Sequence, residues 1–532
     1  MFEESIKSQL TLTIDGQEHK VIGGNVKHCK INLARHGFSG EVGFYLSNEV
    51  SDDALIDAFI KDELIEIEIT LAQHSFSKAK PGNGLVIKGL VGQRHVEEKQ
   101  FQEVKDSKVL YRYYHCQLLD PAQFIWQQHF PSVLYVKQTL TQVVQAQIVN
   151  PIQLEIDWPH FDDERPMICL GMGAIGVSFY QFLLWYLAQY GGYLIYDYEQ
   201  HSYKICNEKP EAEPEIKLAP EQVSCTEVVL AEPSFQSVNL LNGEVNLAST
   251  DVISEHPSVS GVRHDSLIVA SIKQDAEAIK QREKQFVETR KPELAISLSQ
   301  WPLEAMFPGA KIKLDHPKRN PNTLSTKEPF RLFATYIELE ALQNAPMDDL
   351  HQAFSGYRCC LSHRGEAFEE AYWPRPTACL KPFKVQGEIV SEVGEEQDKT
   401  YQYHNNDDTQ QLFYRVRIPL WEDQEILIRF LPDFLHPHFY FPLYKGTQVE
   451  LQMDLFEARI TRVLDWGARV FLEQETQGNH LIFGKNDKDE TRLKYDYQDE
   501  KPVLSLERIK DKDTELVQLE EGKITFRTKE QD

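Results

Sequence analysis

Apolar residues in the first part of the chain recur with the period of a β-strand. The runs TLTIDGQ, HKVIGG, EVGFYLS, LIEIEITLAQHSF and GLVIKGLVGQRHV alternate or stay apolar, and Gly, Asn and Asp punctuate them. Successive side chains on a strand point to opposite faces, so this pattern predicts short strands folded into a barrel or a closed sheet. One helix is predicted among them. Ser51 is placed to cap DDALIDAFIKDE, with Asp52 and Asp53 in the electropositive first turn.

From about His115 the texture changes. DPAQFIWQQHFP reads as a helical segment, and VKQTLTQVVQAQ (Val136–Gln147) carries Leu140, Val143 and Val144 on one helical face. The strands IQLEID and PMICLG follow, then a helix over SFYQFLLWYLAQY with Ser178 as its N-cap and Gly191 at its end. A hairpin, YLIYDYEQHSYKIC, completes an α+β lobe. An extended connector with Pro210, Pro214 and Pro220 leads back to strands such as SVNLLNGEVNL, AKIKLD and FRLFATYIELE. The charged stretch DAEAIKQREKQFVETRKPE mixes both signs and reads as a solvated helix.

Beyond residue 386 the strands become short and closely spaced, the signature of a small five-stranded barrel of the oligonucleotide/oligosaccharide-binding type. GEEQDKTYQYHNNDDTQQ is expected to be a mobile hairpin tip within it. The final strands leave apolar faces without a covering helix: Val517 and Leu519 share one face, as do Ile524 and Phe526. The expected fold is mainly β with an α+β lobe. Its predicted domains are a first β-barrel at 1–115, the lobe at 116–212, a second β-barrel at 213–385, the small barrel at 386–485 and a short β-segment at 486–532.

Charge narrows the choice of partners. Lysine plus arginine number 56 against 82 aspartates plus glutamates, a formal net charge of −26. Such a surface repels phosphate backbones and anionic lipid, so no nucleic-acid partner is expected. MFEESIKSQL has no basic stretch ahead of an apolar run, and Ser178–Tyr190 is short and broken by Gln181 and Gln189. Neither a signal peptide nor a membrane span is expected. Eight cysteines, at 29, 116, 169, 206, 225, 359, 360 and 379, show no paired zinc-ligand spacing and read as free thiols in a reducing compartment. No metal site is expected, although Cys359 and Cys360 with His363 and Cys379 form the tightest cluster.

One segment resembles enzyme chemistry. MICL-GMGAIG-VSFYQFLLWYLAQY-GGYLIYD places Gly171, Gly173 and Gly176 between a strand and a helix, and a second strand ends in Asp197. This is the order of a dinucleotide-binding fingerprint, with the acid near the position that binds ribose. The alternative reading is therefore a NAD(P)-dependent oxidoreductase using the Gly171–Gly176 loop. Against it, the helix starts after the third glycine, it is apolar on nearly every side, and no further βαβ unit follows. HExxH, GxxxxGK[ST] and GxSxG are absent. HPHFYFP (His436–Pro442) and the acid pairs Asp162-Asp163 and Asp407-Asp408 read as loop residues. No catalytic residue and no cofactor are expected.

The order of the segments resembles a known family. YHCQLLDPAQFIWQQHFPSVLYVKQTLTQVV followed by SFYQFLLWYLAQYGGYLIYDYEQHSYKICNEKP is similar to the hub of VgrG-type spike proteins of type VI secretion and related contractile injection systems. That hub is itself similar to the hubs of contractile phage tails. The C-terminal FPLYKGTQVELQMDLFEARITRVLDWGARVFLEQETQGNHLIFGK resembles the family's small barrel running through a QGN segment, here Gln477-Gly478-Asn479, into a trimeric β-spike. The resemblance implies a homotrimer with two tube-like β-barrel units per chain, six in all, matching a hexameric inner tube protein. It also implies baseplate contacts, a possible spike-tip protein that completes a short spike, and effectors carried on it. The assembly would form in the cytoplasm and be delivered outward on contraction. In that frame Val517, Leu519, Ile524 and Phe526 are the expected trimer-interface residues.

Overall fold

The computed structural model describes residues 5–47, 54–74, 84–102, 108–207, 214–229, 235–243, 248–254, 261–268, 276–277, 279–281, 283–284, 293–298, 301–302, 305–314, 330–341, 353–354, 357–367, 381–394, 400–406, 411–429, 442–465, 478–486 and 488–530. Strands dominate throughout. The chain packs as two units. One comprises Met1–Phe130, Gln145–Phe161 and Ser178–Cys379, and the other Pro131–Val144, Asp162–Val177 and Leu380–Asp532.

The first unit is built on one sheet of fourteen described strands. It opens with the hairpin Ser5–Ile14 and Gln17–Ile22. At its turn Asp15 and Gly16 have φ of 50° and 74°, the left-handed pair that a two-residue hairpin loop requires. Ile6, Leu10, Leu12 and Ile14 are buried, as the alternation demands. The two β regions read from the sequence are continuous with each other. Val26–Ala34 pairs with Gly37–Ser47 on one side and with Phe330–Ala341 on the other, so that Ala34 lies opposite Ala334. A second join pairs Ile6 with Phe354.

The helix predicted from Ser51 is shorter than expected. It is confined to Ile56–Phe59, and Ser51 to Asp53 lie outside the described residues. The Arg94 guanidinium donates to the carbonyls of Lys61 and Glu63, holding the chain after the helix on a non-helical path. Phe59 still does a helix residue's work, packing edge-on against Tyr114 at 5.0 Å between ring centroids.

The lobe's helices follow local signals closely. Asp120 caps Pro121–Trp126, accepting from Gln123 N at 2.9 Å. Ser178 and Gln181 form a reciprocal capping box on Phe179–Tyr190, and Gly191 ends that helix with φ 81°. A three-stranded sheet of Tyr193–Asp197, Ser202–Cys206 and Leu154–Asp157 accompanies them. Asp120 is fully buried and ties these pieces to the large sheet. Its carboxylate accepts from the Tyr203 hydroxyl at 2.5 Å and from Phe38 N at 3.3 Å. Burial pushes it up to about 6 despite those donors. Alongside, Tyr198 Oη donates toward Ala34 O and Gly37 O, at 2.6 and 2.7 Å.

The segment Val136–Gln147, which the second unit holds as far as Val144, corrects the sequence reading. Ser132–Gln138 is a strand paired antiparallel with Arg165–Gly171, and the helix occupies only Leu140–Gln145. Leu140, Val143 and Val144 are its buried face, as the spacing required. Thr139 marks the change: its backbone N and Oγ1 bond the Gln142 side chain and backbone N, which starts the helix there.

That hairpin packs into the core of the small barrel. Leu134, Met167 and Cys169 join Val385, Ile389, Tyr414, Val416, Leu451 and Met453. Trp421 Nε1 donates to Ser132 O at 3.0 Å, and Cys169 N donates to Leu455 O at 2.8 Å. The barrel strands are Phe383–Val390, His404–Asn406, Gln411–Ile418, Gln424–Arg429, Gln448–Met453 and Ala458–Asp465. The same unit ends in a five-stranded antiparallel meander: Asn479–Asn486, Asp489–Gln498, Lys501–Lys510, Asp513–Glu520 and Lys523–Lys529.

Candidate assembly interface

Register turns the C-terminal meander into an apolar plate. Leu481 lies opposite Leu493, Leu493 opposite Leu506, Leu506 opposite Val517, and Val517 opposite Phe526. The next rung runs Asn479, Tyr495, Leu504, Leu519 and Ile524. Opposed residues of an antiparallel pair share a face, so both rungs face one way. All four sequence-predicted residues, Val517, Leu519, Ile524 and Phe526, are on this face. Sequence reasoning missed Leu481, Leu493, Tyr495, Leu504 and Leu506, although LKYDY and VLSLERI alternate visibly.

Solvent reaches this face in the single chain. Phe526 is 76% exposed, Ile524 62% and Leu506 46%, with Val517 half-buried. Isolated exposed apolar residues are ordinary, but a contiguous apolar face this wide marks a contact surface. A charged rung bounds it, where Arg508 Nη1 pairs with Glu515 Oε2 at 3.1 Å.

The other face mixes charged groups with Ile482, Val503, Ile509 and Leu516, and Val503 is buried. Lys494 pairs with Asp496 at 2.8 Å and holds that carboxyl below the usual range, and Arg492 pairs with the buried Glu490. This mixed face is the more enclosed one, while the apolar rungs on the opposite face are left to solvent.

Gly171 and Gly176 of the glycine segment each have a structural explanation. Arg165–Gly171 pairs antiparallel with Ser132–Gln138, and Tyr193–Asp197 belongs to a different sheet in the other unit. A dinucleotide fold needs those strands parallel in one sheet. Met172–Ile175 forms one helical turn that closes at Gly176, φ 69°. A Cβ on Gly171 would lie 2.0 Å from the Phe383 ring. Asp197, exposed, accepts from Glu199 N and Gln200 N at 2.8 and 2.9 Å, which fixes the hairpin turn.

Cys29, Cys116 and Cys169 are buried free thiols, Cys206 is buried, and Cys225 is exposed. Burial pushes Cys29, Cys116 and Cys169 up to about 12. Among the described residues no group of three or more His, Cys, Asp or Glu is placed to hold a metal. The side chains of Cys359, Cys360 and His363, together with Cys379, His436 to Phe441, Asp407 and Asp408, lie outside the described residues. Among the described residues no helix is long and apolar enough to cross a membrane.

No family model matches the chain, and no curated protein matches it by sequence. Three solved structures match it over nearly its full length. They are a lidless PdpA–VgrG complex (TM-score 0.76, 12% identity, 99% of each chain), the lidded Francisella PdpA–VgrG complex (0.77, 12%, 99% and 80%) and its half-lidded form (0.76, 11%, 99% and 88%). The chain has a VgrG-like hub-and-spike fold. At this identity the likeness is one of architecture. Within the VgrG-like fold, Gly478 and Asn479 of the QGN segment lead directly into the apolar meander, while Gln477 lies outside the described residues. Gly478 has φ 93°, and a Cβ there would come 2.3 Å from Tyr495 O, so only glycine fits where the meander begins.

Proposed function

We propose that this protein is a structural, non-enzymatic hub and spike: three copies cap the inner tube of a contractile injection machine and help deliver effectors. The observation that carries the reading is the apolar face of the C-terminal meander. Leu481, Leu493, Leu506, Val517 and Phe526 make a rung with no covering element in their own chain among the described residues, and two further copies would supply the cover. The VgrG-like fold supports the same role. The expected tube-matching regions are 1–115 and 213–385, the lobe 116–212 lies between them, and 386–485 is the small barrel ahead of the spike segment. On this reading the tube contact is to a hexameric ring protein, and baseplate proteins surround the hub.

The solved relatives are complexes of two named proteins, PdpA and VgrG. A second protein completing the spike of this chain fits that precedent. Class averages of the purified full chain by electron microscopy test the proposal. Particles with threefold symmetry and a central projection are the expected result. Particles of single chains or of twofold symmetry would overturn it.

A further inference from the structure

The large sheet carries a histidine row that the assembly proposal leaves unused. Glu340 lies opposite His28, His28 opposite Gly43, Gly43 opposite His115, and His115 opposite His95. Four successive strand pairings therefore align these residues on one face. At Gly43 the Tyr113 hydroxyl covers the backbone, 2.0 Å from where a Cβ would stand.

Glu41 reaches both sides of that gap. Its Oε1 is 2.9 Å from His28 Nε2 and its Oε2 is 3.5 Å from His115 Nε2. The His95 and His115 rings stack at 4.7 Å between centroids, 22° from parallel. The other charged groups facing the row are Lys30, paired with Glu338 at 3.1 Å and 3.7 Å from Glu41, and Glu340, 3.8 Å from His28 Nδ1. Glu97 pairs with Lys99 at 3.0 Å. The remaining titratable neighbours are the phenols Tyr45, Tyr113 and Tyr336.

Around His95 the backbone has a strand partner on one side only among the described residues, and the neighbouring Arg94 guanidinium donates to the carbonyls of Lys61 and Glu63. The register of Leu85–Gln102 against Lys108–Leu119 shifts between Val91 and Arg94, next to the histidine rung. Before the shift, Leu85–Leu90 pairs also with Leu71–Glu66; after it, Arg94–Gln102 has Lys108–Cys116 as its only partner among the described strands. Lys108–Leu119 stays anchored by Gly37–Ser47 on its far side.

We propose that the His95–His115 rung is a proton-triggered release point, at which acidification frees the arm 94–102 from the sheet. His28, between Glu41 and Glu340, gains carboxylate partners when it takes a proton. His95 and His115 gain each other, and the two nearby carboxylates are already engaged, Glu41 by His28 and Lys30 and Glu97 by Lys99. The repulsion is relieved by parting the arm, because the register shift separates it from the rest of the ladder.

The direction of titration agrees. Burial first, then His95, holds His115 below the ordinary histidine range, while the hydrogen bond with His28 holds Glu41 below the usual carboxylate range. A base lowered in the closed state binds protons more readily when open. The closed arm is therefore favoured above the ordinary histidine value, and that advantage is lost as pH falls below it.

Hydrogen exchange of the full chain at neutral and mildly acidic pH, corrected for intrinsic rates, tests this. Protection of residues 94–102 should fall about tenfold or more on acidification, while Ser5–Ile14 keeps its protection. In His95→Gln, an exposed position, the acid-induced loss at 94–102 should shrink to less than about twofold. An unchanged loss in that variant, no loss in the native chain, or an equal loss in Ser5–Ile14 would each overturn the proposal.

Discussion

Replacing Phe526 by Asp isolates the contribution of the C-terminal face to assembly. In one chain the ring is 76% exposed and faces away from the mixed side of its sheet, opposite Val517. Surface substitutions of this kind change chain stability by about 0.5 kcal/mol or less. The cost in an assembly is larger. Fully burying a phenylalanine side chain is worth roughly 1.5–3 kcal/mol, so covering the exposed 76% contributes about 1.1–2.3 kcal/mol per copy. Threefold symmetry repeats the loss in each chain, giving about 3–7 kcal/mol per trimer before any cost of desolvating the new carboxylate. At about 1.4 kcal/mol per factor of ten, the association constant should fall by at least about a hundredfold. Sedimentation velocity of native and variant proteins across a micromolar-to-nanomolar series reads this directly, with circular dichroism melting as a control for folding. A variant that stays associated to the same dilution as the native chain would refute the assignment of Phe526 to a buried contact. Truncation after Lys510 should weaken association in the same way and leave the β signal of the upstream barrels in place.

Three other substitutions probe the fold and the rejected chemistry. Tyr203→Phe removes the short bond to Asp120 and should cost roughly 2–3 kcal/mol above pH 7 but only about 1 kcal/mol at pH 5, where the carboxyl, pushed up to about 6, is mostly protonated. The sign follows from a raised acid: Asp120 favours the native state most below its unfolded value, and that preference is lost as pH rises through about 6. Equal losses at both pH values in urea titrations would show that the bond is not to an ionisable partner. Gly171→Ala should destabilise the second unit by about 1–3 kcal/mol, because its Cβ meets the Phe383 ring, and thermal melts check it. Asp197→Ala should cost about 1 kcal/mol through its turn, and neither it nor the native chain should give a saturable tryptophan-fluorescence response to NAD or NADP. A native response abolished by Asp197→Ala would revive the dinucleotide reading.

Local physics made much of this fold legible before any coordinates. Ser178 and Gly191 mark the ends of the lobe helix because caps are local chemistry. Gln181, an interruption in an apolar run, turns out to complete the capping box. Thr139 divides Val136–Gln147 into strand and helix, and helical spacing at Leu140, Val143 and Val144 concealed the strand before it. What local pattern could not carry was pairing at long range. Nothing near Ala34 announces Ala334 as its neighbour, since any alternating strand offers the same edge. The histidine row escaped for the same reason: His28, His95 and His115 are far apart in sequence, and only register aligns them. The apolar plate lay between these cases. Its end was read from Val517 to Phe526, but its full width depends on which strand lies beside which.

Light scattering of the purified full-length protein tests the central claim most directly, because the proposed trimer would cover the apolar face. The expected mass is about three times 61.6 kDa and persists on dilution into the nanomolar range. A mass of 61.6 kDa at micromolar concentration, with the β-structure intact, would contradict it.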